Sequence, residues 1–174
     1  SMLLAQQAQD YGDRVGVLAF DREVRLVLPA APVRIGTLAE SLAGLRATAV
    51  EPNYPLAFAQ LGRTFRRRSL VILFSDVVDS EASRPLASGM LGIRRQHLPL
   101  MVALRNPAIE RAAEQGIPEE RIRGRAAAVD LLEARSRVLE RMGRSGVQVV
   151  DALPGPGVEA TLRRYADIKA RALL

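Results

Sequence analysis

The chain has 174 residues, of which 48% are hydrophobic and 25% charged, and this is the composition of an ordinary globular domain. It contains no cysteine, which excludes disulfides, thiolate metal clusters and a cysteine nucleophile. The net charge is +6, but acidic residues are interspersed with the basic ones and aromatic residues make up only 4%. Stacking platforms for nucleic acid are therefore scarce, and the sequence predicts no nucleic-acid partner.

The apolar runs are too short to cross a bilayer. The run at residues 97–104 is strand-sized, whereas a spanning helix needs about 20 apolar residues. No secretory leader is visible, because the first residues lack a basic segment and a long apolar one. We expect a cytoplasmic chain without a membrane segment, although the full-length protein can be anchored through segments that this chain does not contain.

Hydrophobic periodicity and turn residues predict the elements of the first part of the chain. In order, they are a helix over 3–11 that stops at Gly12, strands over 14–20 and 24–28, and helices over 32–46 and 55–65. The second strand alternates apolar and charged residues, which is typical of a half-exposed hairpin partner.

The second part of the chain predicts further alternation of strands and helices. The elements are strands over 70–74, 98–104 and 147–150, and helices over 84–96, 108–145 (in two pieces, broken near 116–118) and 159–172. The aliphatic run Leu70 to Phe74 favours a central parallel strand. We therefore predict one α/β domain over 1–174, with a mostly parallel sheet, helices on both faces and one antiparallel edge strand.

Candidate functional residues lie where the predicted strands end, because ligands of such sheets bind beyond the carboxyl ends of the strands. Seven polar residues meet this criterion: Asp21, Ser75, Asp76, Asp79, Arg105, Asn106 and Asp151. Asp76 and Asp79 follow the most apolar strand, and with Arg105 as a basic group they suggest a metal-dependent hydrolase or phosphatase. The alternative for Asp76 is an aspartate that caps a turn.

Other motifs give little support to an enzyme. No glycine-rich nucleotide-binding sequence and no nucleophile elbow are present. His97 is the single histidine, so it cannot join a histidine cluster, and we expect it at the surface or in a supporting position beside a site. The basic run at 66–68 flanks a very apolar strand, and we expect a solvated loop there that discourages aggregation.

Several segments together resemble one bacterial family. Similar in order and spacing are residues 12–20 (GDRVGVLAF), 51–54 (EPNY), 67–76 (RRSLVILFSD), 95–100 (RQHLPL) and 164–171 (RYADIKAR). The family is a von Willebrand factor A-like group known as domain of unknown function 58. Its genes typically lie beside those of MoxR-type AAA+ ATPases.

The resemblance implies a Rossmann-like von Willebrand factor A fold. A complete domain of this type begins with a central strand that ends in an Asp-x-Ser-x-Ser motif and supplies the first ligands of a metal site, and this chain starts inside the helix that follows. The second element of that site is a threonine, and the corresponding loop carries Asn53 and Tyr54 instead. The third is an aspartate that Asp76 matches. One carboxylate holds Mg²⁺ or another divalent cation only weakly, so Asp76 remains a candidate ligand and no cofactor is expected.

The resemblance also implies an unpaired edge on two apolar strands. The absent strand would lie between the strands at 14–20 and 70–74, and folded proteins usually avoid such exposed edges. We expect that these two strands either pair directly with each other or are completed by a homodimer.

The function that we expect is a non-enzymatic protein–protein interaction module. The resemblance implies that its partner is a MoxR-type AAA+ ATPase and its role chaperone-like or in assembly. The expected contact surface consists of the strand ends and the adjoining loop: Asp21, Asn53, Tyr54, Ser75, Asp76 and Arg105. The alternative is the hydrolase centred on Asp76 and Asp79.

Overall fold

A computed structural model describes residues 2–46, 48, 50–77, 82–114, 122–153 and 156–171. Contacts within the chain divide it into two compact units, Ser1–Ser69 and Leu70–Leu174. The sequence predicted a single domain, because no linker composition separates these two parts.

The first unit contains a two-stranded antiparallel sheet and three helices. Its elements are α1 (Met2–Asp10), β1 (Arg14–Phe20), β2 (Val24–Pro32), α2 (Ile35–Ala43) and α3 (Tyr54–Thr64). Helix α1 ends at Gly12, whose φ of 69° lies in the left-handed region that glycine adopts without strain. Helix α3 begins with Asn53 as its N-cap, since the side-chain oxygen accepts a hydrogen bond from Leu56 N at 3.1 Å.

The second unit is a parallel three-stranded sheet with helices. Its elements are β3 (Leu70–Asp76), α4 (Arg84–Ile93), β4 (Leu98–Leu104), α5 (Pro107–Glu114), α6 (Ile122–Arg144), β5 (Gln148–Ala152) and α7 (Pro156–Ala170). The strand order is β3-β4-β5, and the register places Asp76 beside Leu104 and Leu104 beside Ala152. The carboxyl ends of all three strands therefore lie along one edge of the sheet, which we call the carboxyl edge.

The core of the second unit explains why these segments are strands and helices. Leu100, Val102 and Val150 project from one face of the sheet and pack with Ile168 of α7. The opposite face carries Met101, which is fully buried, and α4 and α6 contact β4 and β5. Helices therefore lie on both faces of this sheet, as predicted.

Most predicted elements are confirmed, although several boundaries are displaced by two or more residues. Strands β1 and β4 have the predicted bounds. Strand β2 extends to Pro32 because it continues to pair with β1 up to Arg14, so α2 begins at Ile35 and not at Pro32. The break expected near 116–118 lies outside the described residues.

The sheet arrangement corrects two expectations. The antiparallel strand β2 is not an edge strand of the parallel sheet, because β1 and β2 form a separate pair. Direct pairing of β1 with β3 is also wrong, since these strands belong to different sheets. Strand β1 joins β2 through a short turn, and within the described residues no strand bridges it to β3. Completion by a homodimer remains a prediction.

Candidate functional site at the carboxyl edge

Three of the predicted site residues lie together at the carboxyl edge. Ser75 and Asp76 end β3, and Arg105 follows β4 directly. The Arg105 amide donates to the Ala152 carbonyl at 2.8 Å, which keeps the end of β4 against the end of β5. The carboxylate of Asp76 is exposed and, within the described residues, makes no hydrogen bond or ion pair.

An ion-pair network of four side chains surrounds Arg105. Its Nε donates to Asp151 Oδ1 at 3.2 Å, and its Nη1 lies 3.3 Å from Glu110 Oε1. Arg135 approaches the same Asp151 oxygen at 2.8 Å. The side chain of Arg135 is only 9% exposed, whereas that of Arg105 is 40% exposed. Arg135 therefore fixes Asp151 from within, and Asp151 and Glu110 hold Arg105 at the surface.

The electrostatics of this network favour its charged form. Partial burial raises the pKa of Asp151, but hydrogen bonds from Arg135 and Arg105 outweigh it and bring the pKa below its usual value. The hydrogen bond to Asp151 raises the pKa of Arg105 further above its ordinary range. Both shifts favour the charged forms of Asp151 and Arg105, and the ion pair holds the Arg105 guanidinium in a fixed orientation.

Large hydrophobic side chains are exposed along the same edge. Phe74 is 40% exposed, Leu104 38% and Leu153 37%. Phe74 and Leu104 project from the same face of the sheet, because Phe74 is paired with Val102 and Asp76 with Leu104. Exposed apolar groups beside an oriented arginine are typical of the central part of a protein–protein contact.

A small cavity lies among the described residues at this edge. Its volume is about 50 Å³, and its lining includes Asp76, Leu104, Arg105, Asn106, Ile109 and Arg135. Pockets that bind drug-sized ligands measure roughly 300–1,000 Å³. The cavity formed by the described residues is therefore much smaller than such pockets.

The other three residues of the predicted contact surface lie in the first unit, around the turn between β1 and β2. The Asp21 carboxylate accepts hydrogen bonds from the Glu23 amide at 2.9 Å, from Arg25 Nε at 2.8 Å and from Thr48 Oγ1 at 2.7 Å. These hydrogen bonds hold the pKa of Asp21 well below its usual range. The bond from Glu23 has the largest effect, followed by those from Thr48 and Arg25. Asp21 therefore ties the turn to the loop that follows α2.

Asn53 and Tyr54 are held by the same turn. The Asn53 amide donates to the Asp21 carbonyl at 2.8 Å, and the Asn53 side chain caps α3. Tyr54 is only 7% exposed, and its ring lies edge-on to that of Phe20 with centroids 5.7 Å apart. The structure thus brings Asp21, Asn53 and Tyr54 together and gives each of them a role in packing or hydrogen bonding.

Comparison with known proteins identifies the family. A family profile described as "Protein of unknown function DUF58" matches residues 1–119, which is more than half of the chain. The chain belongs to the DUF58 family. The match does not reach residues 164–171, so the similarity of that segment lies outside it. Searches of the curated proteins and of the solved structures found no significant match.

The described part of this DUF58 chain offers no built metal site. Among the described residues, no group of three or more histidine, aspartate or glutamate side chains could hold an ion. Asp76 contributes one carboxylate, and its proposed hydrolase partner Asp79 lies outside the described residues. The described residues thus supply one carboxylate toward the octahedral oxygen coordination that Mg²⁺ requires. Nor does any described helix combine the length and apolarity that crossing a bilayer requires.

Two features of this DUF58 chain were not predicted from its sequence. His97 is 2% exposed, so it does not lie at the surface, and the alternative of a supporting position beside a site stays a prediction. Arg135, which organises the network at the carboxyl edge, was not predicted because it comes from the middle of α6 and not from a strand end. The sequence does contain an indication that Arg135 is buried, because it lies at helical spacing from the buried residues Ala128, Val138 and Met142.

Proposed function

We propose that the chain is a non-enzymatic protein–protein interaction module with a von Willebrand factor A-like fold, and that its contact surface is the carboxyl edge. The observation that carries this proposal is the combination of exposed Phe74, Leu104 and Leu153 with the ion-paired guanidinium of Arg105. Such a surface supplies apolar area for burial and one oriented charge for specificity.

The partner that we propose is a MoxR-type AAA+ ATPase. Membership of DUF58 supports this choice through the gene neighbourhood that the family resemblance implies. The role of the module would be to dock the ATPase or one of its substrates in a chaperone-like assembly step.

A binding experiment with a matched control tests the carboxyl edge. Leu104→Glu places a charge in the apolar part of the surface and should weaken binding to the purified MoxR-type ATPase of the same organism by about tenfold or more, which corresponds to about 1.4 kcal/mol. Val129→Glu is the control, because Val129 is 37% exposed and lies on α6. Biolayer interferometry with and without ATP gives both dissociation constants, and circular dichroism checks that both variants fold.

Two results would contradict the proposal. Equal affinities for the two variants would remove the carboxyl edge from the interface. Hydrolysis of a generic phosphate ester with Mg²⁺ or Mn²⁺ that is lost in Asp76→Ala would replace the binding module by an enzyme. In that case the rate should also depend on Asp79.

A further inference from the structure

A second charged surface lies at the opposite edge of the parallel sheet. Residues 91–97 lead into β4 and residues 141–147 lead into β5, and together these segments carry four arginines and no aspartate or glutamate. The four are Arg94, Arg95, Arg141 and Arg144, which we call the arginine rim. Because β4 and β5 are parallel, their amino ends lie along the same edge.

Arg94 joins the two segments of the arginine rim. It caps the end of α4, and its Nη1 donates a hydrogen bond to the backbone carbonyl of Ser145, directly after α6. Its guanidinium also lies over Gly146, where a Cβ atom would stand 2.7 Å from Nη1. The end of α4 is therefore fixed against the end of α6.

The other three arginines are available to a partner. Arg95 and Arg141 are exposed and make no side-chain hydrogen bond or ion pair in the part of the chain that the structure describes. Arg144 pairs with Glu140 at 3.2 Å, but the two side chains are 76% and 66% exposed. An exposed pair of this kind contributes little to stability, so a competing carboxylate can replace Glu140 at little cost.

Helix stabilisation explains only part of the arginine rim. Arg141 and Arg144 lie in the last turn of α6, where a positive charge interacts favourably with the helix dipole. Arg95 lies beyond the C-cap of α4 and has no such contact. Three exposed arginine side chains at one edge of the sheet repel one another, and an anionic partner would relieve this repulsion.

We propose that the arginine rim binds an acidic segment of a partner protein. Guanidinium groups bind carboxylates through paired hydrogen bonds, which gives such a segment both affinity and orientation. Leu91 is 39% exposed one turn before Arg95 and adds a single apolar contact. A membrane surface would favour a broader apolar face. Single-stranded nucleic acid would favour aromatic side chains, which residues 84–104 and 122–153 lack.

Charge reversal with a matched control tests this proposal. The probe is a fluorescein-labelled peptide of alternating glutamate and leucine, and its binding to the whole chain is measured by fluorescence anisotropy. The double variant Arg95→Glu/Arg141→Glu should weaken binding by about tenfold or more, and added salt should weaken binding of the unmodified chain. The control is Arg22→Glu/Arg46→Glu, which makes the same change in net charge at two exposed arginines of the first unit.

Each outcome of this experiment decides the proposal. A tenfold loss in the rim variant with a loss below about threefold in the control supports it. Equal losses in both variants, no binding of the peptide, or tighter binding of single-stranded RNA or phosphatidylserine vesicles by the unmodified chain would overturn it. If circular dichroism shows that the rim variant is unfolded, Arg95→Gln/Arg141→Gln is measured instead. This variant should also weaken binding of the peptide. Failure here leaves the carboxyl-edge proposal intact, because that proposal is tested with Leu104→Glu.

Discussion

At the scale of single residues, Asp21 shows how one carboxylate organises a loop. It accepts hydrogen bonds from the backbone of Glu23 and from the side chains of Arg25 and Thr48, and its side chain is 13% exposed. Its own carbonyl accepts the hydrogen bond from the Asn53 amide. Of the residues that we expected to contact a partner, Asn53 is thus hydrogen-bonded directly to Asp21, and Tyr54 follows it in the sequence.

The lowered pKa of Asp21 predicts a pH-dependent contribution to stability. Because the folded-state pKa lies below the unfolded value of about 3.9, the charged carboxylate stabilises the fold at all pH values above that number. This stabilisation should disappear progressively as the pH falls below about 4 towards the folded-state pKa. Urea unfolding should therefore show a higher midpoint for the unmodified chain than for Asp21→Asn at pH 7, with a smaller difference at pH 3.

Asp130→Asn controls for the loss of one negative charge. Asp130 is exposed on α6 and makes no hydrogen bond within the described residues. Its replacement should change the free energy of unfolding by less than about 0.5 kcal/mol. A difference between the unmodified chain and Asp21→Asn that is the same at pH 3 and pH 7 would refute the role assigned to Asp21.

Single residues also show which parts of the site can be predicted from the sequence. Ser75, Asp76 and Arg105 were predicted because a strand end is visible as the point where an apolar run stops. Asp151 was recognised as a strand-end residue but not as the shared partner of Arg105 and Arg135. Those pairings join Asp151 to residues 16 and 46 positions away on other elements, and local periodicity contains no information about them.

At the scale of elements, the close approach of α7 to β5 depends on a glycine. A Cβ atom on Gly157 would lie 2.3 Å from Cβ of Ala152 and 3.4 Å from its Cα. Gly157 is buried at the start of α7, and its carbonyl accepts a hydrogen bond from Thr161 Oγ1 at 2.7 Å. A side chain at this position must therefore push the helix away from the strand.

We predict that Gly157→Ala destabilises the chain by about 2 kcal/mol, because overpacking of a well-filled core typically costs 1–3 kcal/mol. Adding Ala152→Gly should restore part of the loss, since it removes the atom that the new methyl group meets. Gly124→Ala is the control: within 4 Å of its Cβ position there is no atom, and the substitution should stabilise α6 by about 0.5–1 kcal/mol. Urea unfolding of Gly157→Ala, Ala152→Gly, the double variant and Gly124→Ala measures these differences in the free energy of unfolding. Additive effects of Gly157→Ala and Ala152→Gly would show that the two positions are not in contact.

The bounds of the elements were predictable where local chemistry decides them. Strand β4 has an uninterrupted apolar run and a turn sequence at its end, and the structure gives it the predicted residues. Helix α2 was predicted to begin at Pro32 because proline is common at a helix start. In the structure Pro32 lies opposite Arg14 in the β1–β2 pair, so a pairing partner distant in sequence outweighed the local preference.

At the scale of the whole molecule, the sequence predicted the class of fold but not the partition of its strands. Alternating strands and helices indicate an α/β fold, and a parallel sheet with helices on both faces is present. Which strands share a sheet depends on tertiary contacts that periodicity does not encode. Within the described residues, the three-stranded sheet ends at β3, whose residues Leu70 to Phe74 include no charge and no proline. Such an edge lacks the features that normally prevent strands from pairing with another chain.

We therefore predict that the chain self-associates through the free edge of β3. Light scattering after size-exclusion chromatography should give about twice the mass of the chain at high concentration, since an isologous pair is the commonest closed assembly. Phe74→Lys should shift the equilibrium to the monomer, because an edge lysine disfavours strand pairing. Leu104→Lys is the matched control: Leu104 is 38% exposed and Phe74 40%, but Leu104 belongs to β4, which has strand partners on both sides. A monomer at every concentration, or equal effects of the two lysines, would mean that the edge of β3 is not an association surface.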